Sequence, residues 1–123
     1  MPLPKINLYP DFNILRLSHV TLNVRDINKS KEFYTDILGL QITDENKKEI
    51  YFRCMEERGH HSLIIKQSDD SSCESISFKV FSEKDLDKAE EYFKKINKKI
   101  FVVERPYQGR TLLTYDNSGI PIE

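Results

Sequence analysis

His19-Val20-Thr21-Leu22-Asn23-Val24 and Ser75-Ile76-Ser77-Phe78-Lys79-Val80 say nearly the same thing twice. In both blocks apolar side chains hold the second, fourth and sixth places, and polar ones the first, third and fifth. That alternation is the period of a β-strand with one apolar face. The copies stand 75 − 19 = 56 residues apart, and each precedes a stretch of helical periodicity. An internal repeat constrains architecture more tightly than any single motif.

After the first block, Asp26 reads as a helix N-cap. Ile27, Ser30, Phe33, Tyr34, Ile37 and Leu38 then fall on one helical face, and Gly39 supplies the stop. Strands are expected at 40–43, 50–55 and 61–66. Residues 68–72 (Ser-Asp-Asp-Ser-Ser) form a polar break between the copies. After the second block, Ser82 and Asp85 have the spacing of a capping box. Leu86, Ala89, Phe93 and Ile96 make the buried stripe of a second helix, and strands follow at 99–104, 110–115 and 120–123. Residues 1–13 hold Pro2, Pro4 and Pro10 and read as an extended N-terminal arm with no evident docking place. The fold class is therefore α+β: two βαβββ modules, 14–67 and 73–123, in one domain spanning 14–123. The unattached arm and the abrupt last strand suggest a piece of something longer.

Composition narrows the partners. Nineteen Lys and Arg against twenty Asp and Glu give a net charge of −1. That balance argues against nucleic acid or an anionic membrane, which favour clustered positive charge. Lys94, Lys95, Lys98 and Lys99 are the densest basic stretch, and they suit the end of the second helix. No apolar run has the length of a membrane span, and the first residues lack the basic-then-apolar pattern expected of a signal peptide. Cys54 and Cys73 have neither metal-ligand nor disulfide-framework spacing, so reduced thiols in a cytoplasmic setting are expected.

The alternation also sorts candidate site residues. Val20, Leu22, Val24, Ile76, Phe78 and Val80 are expected under the helices. The opposite faces carry His19, Thr21, Asn23, Ser75, Ser77 and Lys79, a polar set able to line a cavity. Thr21, Asn23, Ser75 and Ser77 are its expected lining, with Glu123 at the end of the last strand. His60 and His61 are adjacent. Neighbours in a strand point to opposite faces, so both cannot easily hold one ion. No Gly-x-Ser-x-Gly and no Gly-rich phosphate loop is present.

The paired βαβββ pattern resembles the vicinal oxygen chelate superfamily, which includes glyoxalases, bleomycin-resistance proteins and extradiol dioxygenases. The resemblance is carried by residues 19–26, by Ser30-Lys31-Glu32-Phe33-Tyr34-Thr35-Asp36-Ile37-Leu38-Gly39-Leu40 and by the closing Asp116-Asn117-Ser118-Gly119-Ile120-Pro121-Ile122-Glu123. Ile50-Tyr51-Phe52-Arg53, then residues 56–63, and Ala89-Glu90-Glu91-Tyr92-Phe93 look like the N-terminal domain of extradiol dioxygenases of the catechol and homoprotocatechuate type. Those enzymes hold two such domains in tandem. The resemblance implies that the second holds Fe(II) or Mn(II) through two His and one carboxylate, and that the first does no chemistry. The ligand positions of metal-binding relatives correspond here to His19, Ser75 and Glu123. A serine hydroxyl is a poor substitute for imidazole, so no cofactor is expected in this chain, with His19 and Glu123 the two metal candidates that remain. The resemblance implies a structural role for the His60–His61 segment.

The resulting expectation is a non-catalytic N-terminal domain of an Fe(II)-dependent extradiol dioxygenase, which cleaves a catechol ring beside its hydroxyls and inserts both atoms of O2. Its partners would be a C-terminal catalytic domain and further copies of itself. The alternatives are a stand-alone dimeric metalloenzyme of the same superfamily and a non-enzymatic module that binds a small molecule. Ser75 argues against the former and is neutral for the latter.

Overall fold

The computed structural model describes residues 2–123 and shows one eight-stranded mixed sheet with two helices. The first module contains β1 (Ile14–Val24), helix α1 (Ile27–Glu32) with a π-helical continuation (Phe33–Ile37), β2 (Gln41–Glu45), β3 (Glu49–Arg53) and β4 (Leu63–Gln67). The second contains β5 (Ser72–Val80), helix α2 (Glu83–Lys95), β6 (Phe101–Arg105), β7 (Gly109–Tyr115) and the two-residue β8 (Pro121–Ile122). The sheet order β2-β3-β4-β1-β5-β8-β7-β6 reads the same in module terms from either edge. The first strand of each module pairs in parallel with its last, and β1 and β5 join the halves antiparallel.

The ladder between β1 and β5 shows the repeat directly. Val20 faces Ile76, His19 faces Ser77 and Thr21 faces Ser75. Val20 and Ile76 differ by 76 − 20 = 56, the offset read from the sequence. Equivalent residues therefore meet at the centre of the sheet, as a local two-fold relation between the modules requires.

Local signals placed the helices. The Asp26 carboxylate accepts from the backbone N–H groups of Asn28 and Lys29 at 3.1 and 3.0 Å, which satisfies two orphan donors of α1. Gly39 takes φ +71° and ends the segment. The expected stripe is only partly realised. The π-helical turns insert an extra residue per turn, and Ile37 and Leu38 finish exposed. In α2 the Ser82 hydroxyl does not cap a backbone N–H. It donates instead to the Asp85 carboxylate at 2.5 Å.

Ile50, Phe52, Leu63 and Ile65 form a buried cluster beneath α1, joined by Val20, Leu22, Val24, Ile27, Tyr34, Leu40 and Ile42. The second module departs from expectation. Phe78 is 39% exposed, Ile76 and Val80 are half-buried, and Ile96 is exposed. Ala89 and Leu112 are the buried apolar residues there. The arm also docks where no place was foreseen. Phe12 packs on Tyr92 and Phe93 with ring centroids 5.7 and 5.9 Å apart. The buried Asp85 accepts from Asn13 N at 2.9 Å and Nδ2 at 3.2 Å. Residues 2–10 are exposed and lack helix or strand. No helix is long and apolar enough to cross a membrane among the described residues.

Candidate functional site

The polar face is the better buried one at the centre of the sheet. His19, Thr21, Ser75 and Ser77 are each at most 4% exposed, below their apolar neighbours Val20, Leu22, Ile76 and Phe78. Buried polar atoms need partners. Ser77 finds Glu123, and His19 finds Ser18 and a residue of the turn between β6 and β7. Tyr107 there has φ +63° and Gly109 has φ +74°. A bulky residue in the left-handed region costs about 1–2 kcal/mol, so surrounding contacts must hold it. The Tyr107 ring stacks on His60 at 3.8 Å and 10°, and its hydroxyl donates to the Asp44 carboxylate. The second module's hairpin thus reaches over the first module.

That reach brings Gln108 between two imidazoles. Its Nε2 lies 2.6 Å from His19 Nε2 and 3.2 Å from His61 Nε2. One amide NH2 can donate to both if each ring carries its proton on Nδ1. The far sides agree: His19 Nδ1 is 3.0 Å from the Ser18 hydroxyl, and His61 Nδ1 is 2.9 Å from His60 Nδ1. The two rings meet edge to face at 4.4 Å. Burial lowers the pKa of His19, partly offset by the Glu123 carboxylate. Burial, with the neighbouring His19 and His60, brings His61 down to about 4. Burial and the Glu49 carboxylate push the adjoining Tyr51 hydroxyl up to about 12. The cluster is therefore neutral at pH 7.

Glu123 is held by the same hairpin. Its side chain is 5% exposed. Arg105 places Nε at 2.8 Å and a terminal guanidinium nitrogen at 2.6 Å from Oε1, while the Ser77 hydroxyl donates to Oε2 at 3.3 Å. A buried carboxylate needs such a partner. The Glu123 backbone is fixed too, donating to Ile76 O at 2.9 Å and accepting from Phe78 N at 2.7 Å.

A cavity of about 510 Å3 runs past these groups. His19, His61, Ser77, Gln108 and Glu123 line its polar part, and Phe12, Phe78, Leu86 and Phe93 its apolar part. Of the expected lining, Ser77 is there. Thr21 and Ser75 are buried opposite one another on β1 and β5, away from that lining, and Asn23 is half-buried and bonds Ser72 Oγ at 3.1 Å. Gln108, Arg105 and His61 were not anticipated as one cluster. The only local signal for it was a turn between two strand patterns.

The metal positions implied by the resemblance do not fit an ion. Ser75 offers a weak donor, the Glu123 carboxylate is taken by a guanidinium and a hydroxyl, and His19 is bonded at both ring nitrogens. Among the described residues, no three His, Cys, Asp or Glu side chains converge as a metal site would need.

The fold has close likenesses among known proteins. The structure matches homoprotocatechuate 2,3-dioxygenase of Brevibacterium fuscum with a TM-score of 0.85 and 31% identity, covering 94% of this chain and 33% of that one. The match falls on that enzyme's N-terminal part. The corresponding enzyme of Arthrobacter globiformis matches at TM-score 0.85 and 30% identity, over 94% of this chain and 37% of that one. Among curated proteins, a 1,2-dihydroxynaphthalene dioxygenase of Pseudomonas sp. (strain C18) is 28% identical over 67 residues, which is 54% of this chain and 22% of that protein. Metapyrocatechase of Geobacillus stearothermophilus is 27% identical over 79 residues, 64% of this chain and 24% of that protein. The chain thus spans about a quarter of the curated relatives and a third of the solved ones. Residues 16–123 match the family profile, and the chain belongs to the glyoxalase/bleomycin resistance protein/dioxygenase superfamily.

Proposed function

We propose that this chain is a non-catalytic module of an extradiol ring-cleaving dioxygenase, serving to assemble and support a separate metal-bearing catalytic domain. The observation that carries this reading is the occupation of the ligand positions by protein. Arg105 holds Glu123, Gln108 holds His19, and the third position is Ser75. The arm supports an assembly role. Leu3, Ile6, Leu8 and Tyr9 all present apolar side chains to solvent, as segments that cover a neighbouring subunit or domain do. The setting we propose is cytoplasmic, with both cysteines reduced.

Oxygen uptake tests the reading. The chain is supplied with Fe(II) and either catechol or 3,4-dihydroxyphenylacetate, the compound bound in one structure of the Brevibacterium fuscum enzyme. No ring opening above the metal-only control is expected, and turnover would overturn the proposal. Sedimentation should show self-association that weakens when residues 2–10 are removed.

One observation favours a second reading, a module that binds a small molecule by itself. The cavity of about 510 Å3 has the size of a ligand pocket and an apolar wall of Phe12, Phe78, Leu86 and Phe93. Saturable binding of aromatic compounds, lost on Phe78→Asp, would support it.

A further inference from the structure

The sheet has a gap between β5 and β7. The strand between them, β8, is two residues long. Its Ile122 pairs with Ile76 of β5, and Pro121 and Ile122 pair with Tyr115 and Thr114 of β7. Glu123 adds backbone bonds to Ile76 O and Phe78 N. Beyond it, residues 78–80 of β5 and 109–112 of β7 have no strand between them. Strands on either side of one missing strand stand about 10 Å apart, the room an extended chain takes. The cavity of about 510 Å3 opens on this slot, and both flanks line it. Strand edges of this kind carry main-chain donors and acceptors that take up a further strand.

The slot has two unlike faces. Phe78 and Leu112 lie on the side of Ile76 and Ile122, toward α2, where Leu86 and Phe93 complete an apolar wall. Ser77, Thr111 and Glu123 alternate with them on the polar side. A strand that fits must alternate apolar and polar residues and carry no proline within it. Lys5-Ile6-Asn7-Leu8-Tyr9 has that pattern, bounded by Pro4 and Pro10. Ile6 and Leu8 share one side and are 83% and 72% exposed. The arm is rooted at the rim of the slot, since Phe12 lines the same cavity, yet residues 2–10 stay exposed and outside any strand.

We propose that residues 5–9 of a second copy of this chain enter the slot as an added strand. Ile6 and Leu8 lie against Phe78 and Leu112, and Lys5 and Asn7 take the polar side. The docking rests on the assembly reading above and gives the arm its site. Because each arm springs from the rim of its own slot, a two-fold axis there lets two copies exchange arms reciprocally. The exchange pairs the open edges of β5 and β7 and covers Phe78, which the single chain leaves 39% exposed.

The whole chain is mixed as equal amounts of 15N-labelled and 13C-labelled protein. Isotope-filtered NMR should show contacts from the Ile6 and Leu8 methyl groups of one copy to Phe78 and Leu112 of the other. Hydrogen exchange at residues 5–9 and 109–112 should slow as the protein concentration rises. Ile6→Asp, at an exposed position of the arm, should weaken dimerisation by about tenfold or more in sedimentation and remove those contacts. Leu8→Pro, which takes away a main-chain donor, should do the same. Dimers as tight in either variant as in the wild type overturn the docking and leave the assembly reading standing. A monomer at every concentration overturns the docking and the expected self-association together. Arm contacts within a single copy, with protection independent of concentration, show the arm closing on its own slot and overturn the exchange.

Discussion

The two modules share a connectivity and differ in what they bury. Under α1 the first closes on Ile50, Phe52, Leu63 and Ile65, with Phe52 and Ile65 wholly inaccessible. Under α2 the second buries Ala89 and Leu112, leaves Phe78 partly open, and takes Phe12 of the arm as a filler. On the other face the contrast reverses. The first module presents Ile64 beside Thr21, whereas the matching place beside Ser77 is Glu123, held by Arg105. One module supplies the core and the other supplies the polar hairpin that fills the space between them. A repeated pattern thus fixes strand order without fixing burial, which depends on side-chain volume and on what else covers the surface.

The sharpest way to break this contrast is a matched pair of truncations. Phe52→Ala should destabilise the chain by about 3–5 kcal/mol, the usual result of emptying a packed aromatic site. Phe78→Ala should cost about 1 kcal/mol, since much of its surface is already in water. Equal losses in urea denaturation would mean that the second module is as tightly packed as the first.

The seam between the modules should respond to acid. His61 sits near pKa 4 in the fold against 6.5 unfolded, so the unfolded chain binds the proton first. Its contribution is fully present above pH 6.5, declines as pH falls toward 4, and amounts to at most about 3 kcal/mol. The groups facing it are His19, His60, Tyr51, Gln108 and Glu57. Denaturation between pH 7 and 4 should show the decline, and His61→Gln should flatten it.

Asp85→Ala should cost about 2 kcal/mol, because it leaves Asn13 and Ser82 without their shared acceptor. Hydrogen exchange should then rise at Asn13 and in the first turn of α2, with β3 and β4 unchanged. Tyr107→Phe, which removes only the exposed link to Asp44, should have the smallest effect on stability of these substitutions. It should loosen the hairpin tip without altering either core.

Much of the fold was legible because its signals are local. Alternation marked β1 and β5, Asp26 marked the start of α1, and Gly39 marked its end. The burial of Phe78 and Ile37 was misread for the same reason. Periodicity says which residues share a face, but not whether that face is covered. The candidate site was half legible. His19, Ser77 and Glu123 stood out on their strands, while Arg105 and Gln108 carried no pattern of their own.

Sequence alone determined the two-module topology, the offset of 56 residues that sets Val20 against Ile76, and the serine that interrupts the family ligand set. Only the tertiary structure decided that Gln108 would lie between two imidazoles 89 and 47 positions away along the chain, and that Arg105 would neutralise Glu123. The reason is physical. Backbone periodicity is set by neighbours a few residues apart, whereas the partner of a buried polar atom is whatever the folded chain brings within about 3 Å.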